Sequence, residues 1–435
     1  MPRKSRRGRE DDWVPVAPPG RFVRQPPVVP DPASLQPWLL IVLYVATIAL
    51  VWRRSVFYRR FVMILMGILC LIWWGLSAQL PPVVGWVFVA LQVLTASHFV
   101  RLVHARLRSV PYRALLTIPA HWFAASTVLA LPFAVAAALG YPTPLFVVAY
   151  LIGGFGVYQS LSATPEVIDL DLDRRDRGPL APLVIEPARD PDLHGRRFAP
   201  EPERLRVVQI TDPHLGPFMS PAQLAAICQR AVDTDPDLVL ITGDLLTMES
   251  HGAVKAIAAA FAPLKQLEGR VFACHGNHDH EDPASVREGL ERAGVRLLVD
   301  EWARVETRVG PVDVIGSDYH WTHRDEKTAA LFTNRPDDGT PRILLLHNPG
   351  HIGHVPEGAV DLVLAGHTHG GHVGLLSLGS AWTVVRGFTS IPDHGLWARG
   401  AERLYVHRGT GHYGFPIRLG VPREESVLQV RFLDR

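Results

Sequence analysis

The sequence predicts an α-helical transmembrane domain followed by a layered α/β domain. Nearly all the long apolar runs lie before Ala163, whereas 16 of the 20 histidines lie after Arg204. A chain of 435 residues with 48% hydrophobic content has room for two or three domains. Because 44 basic residues nearly balance 42 acidic ones, the chain has no strong net positive charge that would favour nucleic acid as a partner.

Residues 1–36 are basic at their start and proline-rich afterwards, a composition that predicts a disordered tail. A twin-arginine export signal at 5–10 is the weaker interpretation, since acidic and proline-rich residues separate the arginines from the first apolar run at 37. We expect a solvated basic tail close to anionic lipid headgroups.

The apolar runs set the predicted transmembrane domain at residues 37–163. The run 61–80 has twenty residues without a charge, enough to cross a hydrocarbon core of roughly 30 Å. The runs 82–97, 114–139 and 143–163 are comparable, and the run 37–52 is shorter. Since 37–52 either spans a thinned bilayer or lies in the interface, we expect four to five helices.

Arginines in the loops predict the orientation, because short basic loops stay on the cytoplasmic side. Arg53 and Arg54 lie in one basic loop, Arg106 and Arg108 in the loop two crossings later, and 174–177 follow the last run. We therefore expect a multi-pass protein of the inner (plasma) membrane with a cytoplasmic carboxyl-terminal domain. Five spans would put the basic amino terminus outside, and four would put both ends inside.

Residues 164–203 are rich in charge and proline and are interpreted as a linker, with a short edge strand at 183–185 as an alternative. The next domain, 204–435, alternates apolar strands with helical segments. The segment after Ser220 has a serine N-cap followed by proline and helical apolar spacing. This alternation predicts a layered α/β domain.

Polar residues concentrate where the predicted strands end. Aspartate, asparagine or histidine follows five successive strands, with glycines where the backbone must turn sharply. In chain order these residues are Asp212, His214, Asp244, Asn277, His278, His347, His367 and His369. Because reactive residues of α/β domains lie beyond the carboxyl ends of strands, we expect the set to converge on one rim.

Each of these residues has an ordinary structural role when taken singly, such as a turn aspartate or a hydrogen-bonded histidine. Independent structural roles would not repeat the same ligand chemistry at five strand ends, so the set predicts a metal site. The three cysteines, Cys70, Cys228 and Cys274, fit no metal or redox spacing. The expected ligands are therefore nitrogen and oxygen.

The motifs Asp-x-His, Gly-Asp, Gly-Asn-His-Asp, His and Gly-His-x-His, in that order, resemble the signature of the calcineurin-like metallophosphoesterase superfamily over about residues 204–435. The segment 407–426 resembles the end of a bacterial, membrane-anchored branch. The resemblance implies a sandwich of two β-sheets flanked by helices, with a two-metal centre. His372 stands where the family pattern has glutamine.

The resemblance also implies a role for each matching residue. Asp212, His214 and His369 would hold one ion, Asn277, His347 and His367 the other, and Asp244 would bridge both. His278 resembles the family histidine that stabilises the transition state or protonates the leaving group, and we expect Asp279 to orient it. Carboxylate and imidazole ligands favour Mn²⁺, with Fe or Zn²⁺ as alternatives.

These observations predict a membrane-anchored hydrolase that cleaves a phosphodiester or pyrophosphate through a metal-bridging hydroxide. Attachment to the bilayer favours a lipid-linked or membrane-proximal substrate, and His372, His412 and Arg418 are candidate substrate contacts. The alternatives are a phosphomonoesterase or phosphoprotein phosphatase, and a non-catalytic metal-binding module. The expected partners are the bilayer and the phosphate ester, with no nucleic acid; the sequence leaves the oligomeric state open.

Overall fold

The computed structural model describes residues 35–77, 79–183, 188–189, 201, 203–333, 338–414 and 418–433. All but the last two residues of the predicted tail at 1–36 lie outside these ranges, so its disorder stays a prediction. The chain forms an apolar helical domain that is joined directly to a two-sheet α/β domain.

The helices of the apolar domain follow the apolar runs of the sequence. They are α1 (Gln36–Val51), α2 (Val56–Ser77), α3 (Pro82–Arg101), α4 (Val110–Tyr112), α5 (Ile118–Leu129), α6 (Leu131–Ala138) and α7 (Phe146–Leu161). A π-helical turn, Arg113–Thr117, joins α4 to α5. The α2–α3 connection contains prolines, which restrict the end of one helix and fit the first turn of the next.

By length and hydropathy, α2 and α3 are the two described helices that could cross a bilayer. Val110–Leu129 and Leu131–Ala138 are bent by 48° and provide a third span if the pair crosses as one unit. The apolar helices α1 and α7 are shorter. The run 114–139, which the sequence suggests is one span, is therefore a bent pair, and the full number of four to five spans stays a prediction.

The strands of the second domain form two seven-stranded sheets. They are β1 (Ala163–Leu172), β2 (Ala181–Pro182), β3 (Ala188–Arg189), β4 (Leu205–Ile210), β5 (Leu238–Ile241), β6 (Val271–Ala273), β7 (Arg296–Leu297), β8 (Glu301–Thr307), β9 (Gly310–Gly316), β10 (Arg342–Leu345), β11 (Leu362–Ala365), β12 (Gly395–Arg399), β13 (Glu402–Val406) and β14 (Arg423–Phe432). The strand order is β3-β1-β14-β4-β5-β6-β7 in the first sheet and β2-β12-β13-β11-β10-β9-β8 in the second.

The core between the sheets follows from the two-residue period of the strands. In β5, Leu238 and Leu240 pack inward against the second sheet, whereas Val239 and Ile241 pack outward beneath helices. All four side chains are fully buried, as expected for a central strand covered on both faces. The predicted sandwich of two sheets flanked by helices is confirmed.

The outer layers are formed by α8 (Pro221–Asp233), α9 (Val254–Phe261), α10 (Pro283–Arg292), α11 (Arg324–Phe332) and α12 (Val384–Phe388). The predicted cap of α8 is present: Ser220 accepts from the backbone N–H of Gln223, whose side chain accepts from the Ser220 N–H. This reciprocal pair satisfies two donors at the helix start and begins the helix at Pro221.

The linker predicted at 164–203 needs correction, because 163–172 is strand β1. It pairs in parallel with β14 and lies inside the first sheet. Ile168, Leu170 and Leu172 are buried and alternate with the exposed carboxylates of Asp169 and Asp171. This two-residue alternation indicates a strand with one polar face, which the high charge content obscured in the sequence. The alternative edge strand at 183–185 lies partly outside the described residues; β2 pairs with β12 just before it.

The two domains meet at the loop that follows β4 and at the start of β14. Arg113 Nε donates to the Pro217 carbonyl at 2.7 Å, and the Arg423 guanidinium donates to the Leu161 carbonyl at 2.8 Å. Met248 packs against the apolar cluster formed by α1, α2 and α3. The helical domain therefore contacts the loops that carry the strand-end residues described next.

Candidate metal centre

The predicted ligands converge at the carboxyl ends of strands from both sheets. Asp212 and His214 follow β4, Asp244 follows β5, and Asn277 follows β6 in the first sheet. The remaining ligands, His347, His367 and His369, follow β10 and β11 of the second sheet. Six of these seven side chains, all but Asn277, form two groups of three, each with ligand atoms within 4.8 Å of one another.

The first half-site consists of Asp212, His214 and His369. The Nε2 atoms of the two histidines are 3.2 Å apart, and Asp212 Oδ1 lies 3.4 Å from His369 Nε2. The other Asp212 oxygen accepts from the Thr211 hydroxyl and the His367 N–H. Asp212 Oδ1 is buried without a hydrogen-bond partner among the described residues, as expected for a metal ligand.

The second half-site consists of Asp244, His347 and His367. His347 Nε2 lies 3.2 Å from His367 Nδ1 and 3.3 Å from Asp244 Oδ2. The same Asp244 oxygen lies 3.7 Å from His214 Nε2 of the first half-site. Asp244 therefore lies between the half-sites, as the predicted bridging role requires.

Asn277 adds an oxygen donor that fits this centre. Its Oδ1 is buried and has no hydrogen-bond partner among the described residues. A neutral amide oxygen is a common ligand for divalent cations. Together with carboxylates, imidazoles and no thiolate, it forms a donor set suited to Mn²⁺, Fe or Zn²⁺.

The backbone at the centre adopts conformations that most residues avoid. Five ligands have positive φ: Asp212, His214, Asp244, His367 and His369. Each such residue costs on the order of 1–3 kcal/mol, and such strain concentrates at functional sites. Gly276 permits the close approach of the loops, because a Cβ there would lie 2.1 Å from Asp244 Oδ1.

Two imidazoles are fixed by backbone carbonyls on the side opposite the centre. His347 Nδ1 lies 2.7 Å from the Thr242 carbonyl, and His214 Nδ1 lies 3.0 Å from the Leu246 carbonyl. A carbonyl can only accept, so each Nδ1 carries a hydrogen and each Nε2 is the nitrogen that faces the centre.

Electrostatics favour neutral rings at His214 and His369 but a protonated ring at His347, whose pKa the Asp244 charge raises to about 10 against the effect of burial. Burial lowers the pKa of His214 to about 4 and that of His369 well below its usual range. Burial alone would raise the pKa of Asp244, but charge attraction from His347 outweighs it and holds this pKa well below its usual range. Burial raises the pKa of Asp212 to about 6. Metal ions bind the deprotonated forms of these groups, so His214, His369 and Asp244 are prepared for a cation, whereas His347 would release a proton when one binds.

The predicted pairing of Asp279 with His278 needs correction. The buried Asp279 carboxylate accepts three backbone N–H groups, from Asp244, Leu245 and Gly276, each at 2.8 Å. It joins the two loops that carry Asp244 and Asn277. The carboxylate at the His278 ring is Glu281, whose Oε1 lies 2.8 Å from Nδ1.

Glu281 also affects the charge of His278. Burial lowers the pKa of His278, but the hydrogen bond to Glu281 and the Asp244 charge outweigh burial and raise it above the usual value. The sequence shows that Glu281 lies three residues after His278, but it does not show which of the two carboxylates, Asp279 or Glu281, reaches the ring. The 3₁₀ turn at Asp279–Glu281 decides this, because side chains three residues apart lie on the same side of such a turn.

The three candidate substrate contacts lie in different environments. His372 has positive φ and packs 5.0 Å from the ring of His369. His412 is 1% exposed and packs between His372 and Phe218. Arg418 is fully buried, its Nη2 lies 3.0 Å from His369 Nδ1, and it also donates to backbone carbonyls. Arg418 and His412 therefore support the ligand region from behind, which corrects their predicted role.

Tyr413 is a residue of the centre that the sequence did not suggest. Its ring packs 4.9 Å from His214 and 4.5 Å from His278. A tyrosine after His412 gives no local signal, because its position depends on the return of the chain from β13 across the first sheet. It covers the side of the centre that carries His278.

Comparisons with known proteins agree with this geometry. The calcineurin-like phosphoesterase family model matches residues 205–371. Phosphodiesterase YaeI of Escherichia coli is 26% identical over 230 residues, covering 52% of this chain and 82% of that protein. An uncharacterized metallophosphoesterase of Helicobacter pylori is 29% identical over 234 residues, covering 52% of this chain and 60% of that protein.

A transmembrane protein with metallophosphoesterase domain from Bos taurus is 29% identical over 251 residues, covering 53% of this chain and 54% of that protein. The matches thus span roughly half of this chain and between about half and four fifths of these relatives. The family model begins at β4 and ends just beyond β11, which includes every predicted metal ligand. Residues 205–371 of this chain therefore match the calcineurin-like phosphoesterase domain.

Proposed function

We propose that this protein is a membrane-anchored phosphoesterase that uses two divalent metal ions to hydrolyse a phosphodiester or pyrophosphate bond in a lipid-linked or membrane-proximal substrate. The observation that carries the proposal is the position of Asp244 Oδ2 between His214 and His347, which connects two complete half-sites. An E. coli relative named a phosphodiesterase favours diesters over monoesters.

The residues that would hold the ions are the seven described above. Bound divalent ions would supply Lewis-acid activation of water and charge neutralisation for the phosphoryl group. Mn²⁺ is our first choice, because the donors are carboxylate, amide and imidazole without thiolate. The buried histidines exclude bulk water from the ligand side, which strengthens every charge interaction there.

His278 is the proposed proton donor to the leaving oxygen. Its side chain is 22% exposed, whereas the histidine ligands of the first half-site are nearly fully buried. Glu281 occupies Nδ1, so Nε2 is the nitrogen left for a substrate. Glu281 raises the pKa of His278, which favours the protonated ring that a general acid requires.

The helical domain supports the membrane part of the proposal. Phe218, four residues after His214, packs 5.2 Å from the ring of His121 in α5. Arg113, at the start of the same helical segment, binds the carbonyl of Pro217. The loop that carries a metal ligand thus rests on the apolar helices, which favours a substrate presented from the bilayer. The basic loops between the apolar helices favour a cytoplasmic location for the phosphoesterase domain.

A phosphomonoesterase is the second candidate, because the same ligands serve monoesters in this superfamily. It would act on phosphopeptides independently of lipid. The non-catalytic alternative requires a missing ligand, and none of the seven is missing.

The test uses the full-length protein in detergent, since a fragment beginning at Arg204 would lack β1. Hydrolysis of bis(p-nitrophenyl) phosphate, p-nitrophenyl phosphate and a lipid pyrophosphate in mixed micelles would be compared after metal removal and Mn²⁺ addition. We expect metal-dependent diester or pyrophosphate turnover and a fall of about 10²–10⁴-fold in His278→Gln. His354→Gln, at a histidine that belongs to neither half-site, serves as control. Monoester or phosphopeptide turnover alone would contradict the proposal.

A further inference from the structure

A third group of ligand-type side chains lies beside the two half-sites and shares no residue with them. This third cluster consists of His275, His280 and Asp318. Asp318 Oδ1 lies 2.8 Å from His275 Nδ1 and 3.0 Å from His280 Nε2. Both imidazole nitrogens thus lie at hydrogen-bond distance from one carboxylate oxygen, so a cation that replaced the two hydrogens would find all three ligand atoms around it.

The third cluster meets the same distance criterion as the half-sites. Its ligand atoms all lie within 4.8 Å of one another, as in the groups formed by Asp212 and by Asp244. In tetrahedral zinc sites, with metal–ligand distances of about 2.0–2.1 Å, neighbouring ligand atoms are about 3.3 Å apart. An outward movement of a few tenths of an ångström would therefore accommodate an ion.

Two histidines and one carboxylate form a donor set that proteins use for Zn²⁺ and Fe. Hydrogen bonds from His275 and His280 outweigh burial and hold the pKa of Asp318 well below its usual range, and the bond to Asp318 raises the pKa of His280, so a cation would bind here with release of a proton. The carboxylate is therefore ionised at neutral pH. His275 is 3% exposed, and its Nε2 has no hydrogen-bond partner among the described residues.

The third cluster connects the two sheets. His275 and His280 belong to the loop after β6 in the first sheet, which also carries Asn277 and His278. Asp318 follows β9 in the second sheet. Its neighbour Tyr319 packs 6.1 Å from the ring of His347, and the Tyr319 N–H donates to Asp318 Oδ1 at 2.9 Å. An ion here would hold the loop of Asn277 and His278 against the second sheet.

We propose that His275, His280 and Asp318 bind a third divalent transition-metal ion, such as Zn²⁺, which fixes the loop after β6 independently of the two-metal centre. The competing interpretation is a hydrogen-bonded triad in which Asp318 accepts protons from both histidines. The two interpretations differ in metal content, which can be measured without reference to activity.

The experiment measures metal per chain by mass spectrometry after the full-length protein is stripped, saturated with Zn²⁺ and desalted. We expect about three ions in the wild type and about two in His280→Gln and in Asp318→Asn. His354→Gln is the matched control, because His354 has the same 28% side-chain exposure and pairs with one carboxylate, Asp325, at 2.6 Å. It should retain about three ions.

A second variant separates this proposal from the two-metal centre. In Asp212→Ala/Asp244→Ala the centre is lost, and the third cluster should still bind about one ion. Co²⁺ bound to that variant should give the visible absorption of a low-coordinate site, and His280→Gln added to it should remove the band. The proposal is overturned if the wild type binds no more metal than His280→Gln and Asp318→Asn, or if the double variant binds none.

Discussion

The correction at Asp279 yields the most specific prediction. Its carboxylate is fully buried and accepts the N–H groups of Asp244, Leu245 and Gly276 at 2.8 Å each. Asp279→Asn keeps the shape but replaces one oxygen with an NH₂ group. The single remaining oxygen can serve Asp244 and Gly276, which share Oδ2, or Leu245, which uses Oδ1, but not both sets.

The expected loss of stability follows from the number of N–H groups that lose their acceptor. At least one buried N–H loses its partner, which costs about 1–3 kcal/mol, and the remaining bonds lose the strength of a charged acceptor. Relief of repulsion with Asp244, which raises the pKa of Asp279 in addition to burial, offsets part of the loss. We expect a net destabilisation of about 3 kcal/mol, or a fall of roughly 6–12 °C in the melting temperature of the domain.

The assay is calorimetric unfolding of the metal-free protein, with Asp282→Asn as the matched control. Asp282 caps α10 by accepting from the Ser285 N–H, for which asparagine is an equally good cap, and its other oxygen accepts the Gly252 N–H, which is exposed and can bond to water instead. The control should therefore melt within about 2 °C of the wild type. If Asp279→Asn melts like the wild type and instead shifts the pH–rate profile, Asp279 acts on His278 and the structural role is refuted.

Three further predictions concern positions away from the metal ligands. Glu281→Gln should lower the pKa of His278, so activity that requires its protonated form should disappear at lower pH than in the wild type; an unchanged alkaline limb of the pH–rate profile would contradict this. Burial raises the pKa of Glu249 from 4.5 to about 7, so its contribution to stability is present below pH 4.5 and lost as pH rises towards 7; the fall in melting temperature over this interval should be smaller in Glu249→Gln, and an equal fall would contradict it. Leu170→Asp places a charge in the core at β1 and should abolish folding of the domain, whereas the same change at a linker would leave the melting temperature unchanged.

The sequence was informative where the signal is local. Apolar strands ending in aspartate, asparagine or histidine predicted the side chains that come together in the two half-sites, because the carboxyl ends of parallel strands meet at one edge. The cap at Ser220 was also predictable, because its partner, Gln223, lies only three residues further along the chain.

The remaining features depend on contacts between distant segments. Arg418 looked like a substrate contact, and only the packing of its guanidinium against His369 shows it to be buried support. The third cluster joins residues 43 positions apart in the chain, His275 and Asp318, so no spacing rule could find it. Strand β1 was missed because its charges outweighed the alternation of Ile168 and Leu170 with aspartate.

The central claim is that one carboxylate connects two metal ions in a phosphoesterase centre. It is tested most directly by phosphodiester hydrolysis with the stripped, Mn²⁺-loaded full-length protein and its Asp244→Asn variant, both checked for equal melting temperature before metal is added. The account predicts that turnover in the wild type requires added metal and falls by at least about 10³-fold in the variant, which corresponds to roughly 4 kcal/mol of transition-state stabilisation. Equal turnover by the two folded proteins, or turnover that persists after metal removal, would contradict it.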